Sequence, residues 1–272
     1  MYNAVSKTPP SEVRRILRQE VNFGCPICGS PFLTWHHFNP TWRIQHHHKA
    51  EGMIALCLQH HKEADVGTFT ITQLQEWKTN PYLEKAAPRA KFNWQREQIL
   101  LQVGSNYYIS PNYILRLASH SAISISRDVF GFKGISVDLR KANGDPILIM
   151  EANDWVLLDE VDDIECPPSA NALTISVAKE GICLNLRFRS LSEVKLHNQI
   201  TKQCSELIWE AIRPCISEWP VTLCTINGKF VWPIKCRLNP TGTTSSRNGA
   251  KIQGCFKTGG GLTIHEGGGI SF

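Results

Sequence analysis

Seven of the ten histidines fall between His36 and His61, in a stretch preceded by Cys25-Pro26-Ile27-Cys28 and closed by Cys57-Leu58-Gln59-His60-His61. An apolar core has no use for so many nitrogen and sulfur donors, so the pattern points to metal binding. A structural zinc takes four closed ligands, whereas a reactive ion keeps positions open. Cys25 and Cys28 are separated by two residues beside Gly24 and Pro26, the geometry of a knuckle, and Cys57 and His60 form an i, i+3 pair that shares one face of a helix. The reading is a Cys3His zinc site of Cys25, Cys28, Cys57 and His60, in which the ion replaces the core that so polar a segment lacks. His61 stands about 100° further round a helix than His60 and does not serve that ion. With His36, His37, His46, His47 and His48 it is left for other chemistry.

Along the chain the order is Cys-x-x-Cys, then Trp35-His36-His37-Phe38-Asn39-Pro40, then Met53-Ile54-Ala55-Leu56-Cys57-x-x-His60-His61. This string resembles the HNH endonucleases, the ββα-metal nucleases, over about residues 10–80. The resemblance implies that His36 and His61 bind a catalytic divalent cation (Mg2+, Mn2+, Ni2+ or Zn2+) and that His37 is the general base. Hydrolysing a phosphodiester calls for these parts: a base of near-neutral pKa, and a cation on the departing and non-bridging oxygens. His47 or His48 would orient His37 or complete the ion's shell, while at least one of the three loop histidines is a solvated residue. Asp65 is either the carboxylate that accepts the second ring N–H of His61 or a solvated helix-end acid. The sequence departs from the family at its middle letter: the asparagine expected five residues before the helix-opening cysteine is Gly52. An inert zinc finger would explain the four zinc ligands but not His36, His37 and His61.

The elements that must position these residues are legible from periodicity. Ser11 caps a helix to about Val21 with an apolar stripe of Val13, Ile16, Leu17 and Val21. Residues 32–38 and 53–56 read as a hairpin and 57–65 as the helix packed on it. Thr70 to Gln73 has capping-box spacing, opening a helix that buries Leu74 and Trp77 and stops at Asn80-Pro81. Residues 84–88 read as a linker, followed by a helix through Trp94, Ile99 and Leu101 that Gly104-Ser105-Asn106 closes. From Tyr107 the apolar pattern alternates, with Asn143-Gly144 marking a hairpin. Residues 192–212 suit a helix, 240–249 a loop, and the acids Asp159, Glu160, Asp162, Asp163 and Glu165 a solvated run. The expected fold is α+β: the zinc-stabilised ββα-metal (HNH) domain implied by the resemblance over 1–83, a linker and helix over 84–104, and a mainly antiparallel β-sandwich or barrel over 105–272, divisible at 191/192.

Across 272 residues, 42% hydrophobic and 19% charged describe a folded chain long enough for about two domains. Three of the ten cysteines go to the proposed zinc and the other seven lack framework spacing, so a reducing cytoplasm is expected. No run of eighteen apolar residues occurs, so no membrane partner is expected. Residues 1–100 carry 12 Lys+Arg against 8 Asp+Glu, residues 101–200 carry 9 against 12, and residues 201–272 carry 8 against 4. The basic N-terminal part fits DNA as the partner, with Arg14, Arg15, Arg18, Arg43, Lys49 and Lys62 as candidate phosphate contacts. Three functions follow: a DNA-cutting HNH enzyme with a β-rich recognition or regulatory region, a catalytically weak descendant that binds nucleic acid, or a β-module for a protein partner or small ligand with the zinc unit as anchor.

Overall fold

In the computed structural model, which describes residues 6–81, 88–103, 106–109, 113–203, 206–239, 242–247, 250–254, 262–263 and 270–271, the elements run in the following order. First come α1 (Ser11–Glu20), β1 (Leu33–His37), β2 (Met53–Cys57), α2 (Leu58–Asp65) and α3 (Ile71–Thr79). There follow β3 (Arg89–Lys91), β4 (Ile99–Val103), β5 (Asn106–Ile109), β6 (Tyr113–Leu117), β7 (His120–Arg127), β8 (Lys133–Arg140), β9 (Pro146–Glu151), β10 (Asp154–Leu157), β11 (Asp163–Glu165), β12 (Ala172–Val177) and β13 (Ile182–Leu191). Then come α4 (Glu193–Gln203), α5 (Glu206–Ile212), β14 (Val221–Phe230), β15 (Lys235–Asn239), β16 (Gly242–Arg247), β17 (Ala250–Gly254), β18 (Leu262–Thr263) and β19 (Ile270–Ser271). They divide into two units, residues 1–90 with 163–170, and residues 91–162 with 171–272.

The first unit is built on the β1–β2 hairpin, antiparallel with His36 opposite Ile54 and His37 opposite Met53. All five β2 residues are buried, and β2 contacts both α1 and α2. Leu17 and Val21 of the first helical segment, Leu33, Phe38, Ala64 and Leu74 complete this core, with Trp35, Phe69 and Trp77 packed against it. α1 starts one residue earlier than a Ser11 cap requires: Pro10 is the capping residue, no side chain caps the helix, and Ile16 is exposed. Thr70 and Gln73 form the complete capping box on α3. Near the end of α3, Lys78 pairs with Glu20 and donates to the carbonyls of Ala50 and Met53 at 2.9 and 3.0 Å, tying the entry to β2.

The second unit is mostly antiparallel, so the chain as a whole is α+β with few helices. One sheet runs β19-β6-β7-β8-β9-β10, and the other contains β12-β13-β14-β15-β16-β17. The Asn143-Gly144 turn joins β8 to β9, with Gly144 at φ +94°. α4 and α5 cover Leu100, Tyr107, Leu191 and Leu223 with Leu196, Ile200 and Ile212. The helix expected through residue 101 is instead β4, parallel to β14 and antiparallel to β5. All five of its residues are buried, and a strand covered on both faces shows a continuous apolar run without alternation. The loop expected over 240–249 contains β16, paired with both β15 and β17, while 240–241 and 248–249 lie outside the described residues. So do 84–87, most of the expected linker, and 104–105 of the turn expected after it. Among the described residues no helix is long and apolar enough to cross a membrane.

Candidate metal centre

The knuckle forms where the chain leaves α1: Cys25 N–H donates to Ser30 O at 2.8 Å and Gly29 N–H to Cys25 O at 2.7 Å, with Gly29 at φ +78°. Cys57 ends β2, and His60 lies in the first turn of α2. Cys25 Sγ and Cys57 Sγ each lie 3.3 Å from His60 Nδ1, and Cys28 Sγ lies 3.8 Å from Cys57 Sγ. A tetrahedron with Zn–S bonds of about 2.3 Å and a Zn–N bond of about 2.0–2.1 Å has edges of roughly 3.6–3.8 Å. Burial pushes the Cys25 thiol up to about 12 and raises Cys28 as well, so the thiolates need a cation to form. Cys25, Cys28, Cys57 and His60 thus converge as expected, in an arrangement that could bind a metal and is compatible with structural zinc.

A second cluster lies where β1 ends against α2. His36 Nδ1 is 3.2 Å and His61 Nε2 is 3.6 Å from Asp65 Oδ1, and the two imidazoles meet edge to face at 5.2 Å. His61 and Asp65 share a helix face because they are i, i+4 neighbours. Ligand atoms of His36, His61 and Asp65 all lie within 4.8 Å of one another, so these three could also hold an ion. Asp65, half-exposed at the end of α2, is thus within reach of both imidazoles. Thr34 Oγ1 donates to Leu56 O at 2.9 Å and consequently accepts from His61 Nδ1 at 2.7 Å. This leaves the lone pair on His61 Nε2, a buried atom with no hydrogen-bond partner among the described residues.

His37 shows the same logic with its nitrogens exchanged. Its Nε2–H donates to the carbonyl of His47 at 3.0 Å, so the lone pair is on Nδ1, which is buried and has no partner among the described residues. Burial lowers His37 to about 4 and also lowers His36 and His61, so all three are neutral at pH 7. His36, His37 and Asp65 line one cleft of about 660 Å3, with Lys7, Trp42 and Arg43 also on its wall.

The loop histidines take separate places. The His47 ring hydrogen-bonds within its own loop and meets the His37 ring edge to face at 5.2 Å, while its backbone carbonyl accepts from His37. His46 and His48 stack on Trp42, at 4.5 and 5.4 Å between ring centroids. Among the candidate phosphate contacts, Arg43 lines the cleft, Lys49 and Lys62 are exposed, and Arg15 is exposed in a pair with Glu12. Arg18 is a correction: only 4% exposed, it binds Asp163 through Nε at 2.8 Å and Nη2 at 2.5 Å, out of reach of a phosphate. Arg14 is likewise engaged, with Glu165 at 3.0 Å. The acidic run is corrected with them, since Asp163 and Glu165 are ion-pair partners rather than solvated loop residues. Thr34, Lys7 and Trp42 were not anticipated. For Thr34 a signal existed, because in a strand it shares a face with His36 two residues on. In the second unit His120 lies beside Asp138 and His197 beside Glu206, and His265 lies outside the described residues. Comparison with models of protein families, with characterised proteins and with solved structures gives no match.

Proposed function

We propose that the chain is a metal-dependent HNH endonuclease that hydrolyses phosphodiester bonds in DNA, its β-rich unit serving recognition or regulation. The observation that carries this reading is His37, whose Nε2–H is held by a carbonyl while its Nδ1 lone pair stays unpartnered beside a cleft shared with His36 and Asp65. A general base needs a fixed lone pair that is free at the working pH. In this reading His37 Nδ1 takes a proton from water as the water oxygen forms a bond to phosphorus and the bond from phosphorus to the departing sugar oxygen breaks. His36, His61 and Asp65 would hold the divalent cation (Mg2+, Mn2+, Ni2+ or Zn2+). Such an ion, when bound, lends positive charge to the phosphate and departing oxygens. Lys7 and Arg43 offer charge to the substrate's phosphates from the cleft wall, and the Cys3His cluster with its zinc keeps β2 and α2 in register.

Plasmid nicking with each ion in turn tests the proposal. His37→Ala is expected to lower the rate by about 10²–10⁴-fold, the usual worth of a positioned base, with zinc content unchanged. The low basicity of His37 favours a second reading, a zinc protein that binds nucleic acid or a protein partner without cutting, because a weak base gives less driving force for proton transfer. Retarded but intact DNA in a mobility-shift assay would select that reading. Neither cleavage nor retardation would overturn the nuclease and nucleic-acid readings and leave binding of a protein partner.

A further inference from the structure

The loop between β1 and β2 closes on itself through His47, which is 7% exposed. Its Nδ1 accepts the backbone N–H of Lys49 at 3.1 Å, and its Nε2 lies 2.8 Å from the carbonyl oxygen of Pro40. Since a carbonyl only accepts and a backbone N–H only donates, the ring is the neutral tautomer with its proton on Nε2. One side chain thus pins both ends of the 40–49 loop. The carbonyl of the same residue receives Nε2–H of His37.

Position 52 explains why a histidine stands there. A Cβ on Gly52 would lie 2.1 Å from Asn39 O and 2.8 Å from His47 Cε1, closer than real Cβ atoms come to their neighbours. Gly52 O in turn accepts from Phe38 N and Asn39 N at 3.0 and 3.2 Å, so that backbone has little freedom to retreat. The place an asparagine side chain would fill at 52 is taken by backbone and by the His47 ring. A neutral imidazole carries one donor and one acceptor, and a carboxamide likewise bonds in both senses.

We propose that His47 is a positioning residue: its ring locks the loop, and its carbonyl thereby holds His37 with the lone pair on Nδ1. The consequence for cleavage rests on the nuclease reading, but the consequence for the His37 tautomer does not.

Long-range 1H–15N spectra of the histidine-labelled full chain read that tautomer directly. The proposal expects His37 to carry its proton on Nε2, and to become a mixture of tautomers in His47→Ala with zinc content unchanged. Nicking by the alanine variant should fall by about 10–100-fold, the usual effect of removing a residue that orients an active-site ligand, mainly in kcat. His47→Asn keeps an acceptor for the N–H two residues on, and His47→Gln keeps a donor long enough to approach Pro40, so each should recover part of both signals. A wild-type His37 protonated on Nδ1 would overturn the proposal, as would an alanine variant with unchanged tautomer and rate. If the alanine variant does not fold, the amide variants decide: graded loss supports the assignment, and wild-type behaviour in both overturns it. A chain that cuts nothing would defeat the nuclease reading alone, leaving the spectra to judge His47.

Discussion

Thr34 carries no charge, yet its hydroxyl selects which nitrogen of His61 faces His36 and Asp65. Thr34→Val removes that acceptor and is expected to weaken Mn2+ binding at the His36, His61 and Asp65 cluster by about 10–100-fold in calorimetric titration, whereas Thr34→Ser should stay close to wild type. His37 makes a prediction of a different kind. Its folded pKa of about 4 lies below the unfolded value near 6.5, so the unfolded chain binds the extra proton between those limits. The stability from keeping this ring neutral is present above about pH 6.5 and lost as pH falls toward 4, amounting to about 3 kcal/mol over the whole window. His36 and His61 shift in the same direction. Urea midpoints measured between pH 8 and pH 4 should therefore fall, and fall less steeply in His37→Ala; equal slopes would contradict the burial of this imidazole.

A two-stranded hairpin is marginal in water without further support, and here β1 and β2 rest on helices and on the four-donor cluster at the β2–α2 junction. Cys28→Ser is expected to abolish metal binding and, with it, the cooperative unfolding of the first unit, read by zinc content and circular dichroism; retained stoichiometric zinc would refute the ligand set. How far the sequence exposed this arrangement depends on range. The knuckle, the hairpin, α2 and the α3 capping box all follow from spacings of two to four residues, and each appears near its expected place. β4 was unreadable because Ile99-Leu100-Leu101 is buried on every side, which erases the periodicity that separates strand from helix. Thr34 and Gly52 were legible only in part, as a strand neighbour of His36 and as a missing asparagine, because their contacts arise only when residues 61 and 47 are brought beside them. Charge composition suggested a phosphate-binding helix face, but it could not reveal that Arg14 and Arg18 meet their acids in a segment more than a hundred residues away.

For the whole molecule, that long-range pairing is the distinctive feature. The guanidinium of Arg18 is buried in the first unit and neutralised by Asp163, 145 positions along the chain. Asp163→Ala strands this cation, and breaking a buried pair from one side costs about 3–5 kcal/mol. Urea denaturation of the first unit, followed by Trp35 and Trp77 fluorescence, should register a loss approaching that size, while Arg18→Met combined with Asp163→Leu should return most of it. A loss below about 0.5 kcal/mol in the single variant would mean the pair is decorative. The unit that carries the Cys3His cluster also depends on what the ribosome makes later. At about 5–20 residues per second, the stretch from residue 90 to residue 170 takes roughly 4–16 s to synthesise. Throughout that interval the nascent N-terminal segment waits without the partner of Arg18, so its fold can be completed only after most of the polypeptide has been translated.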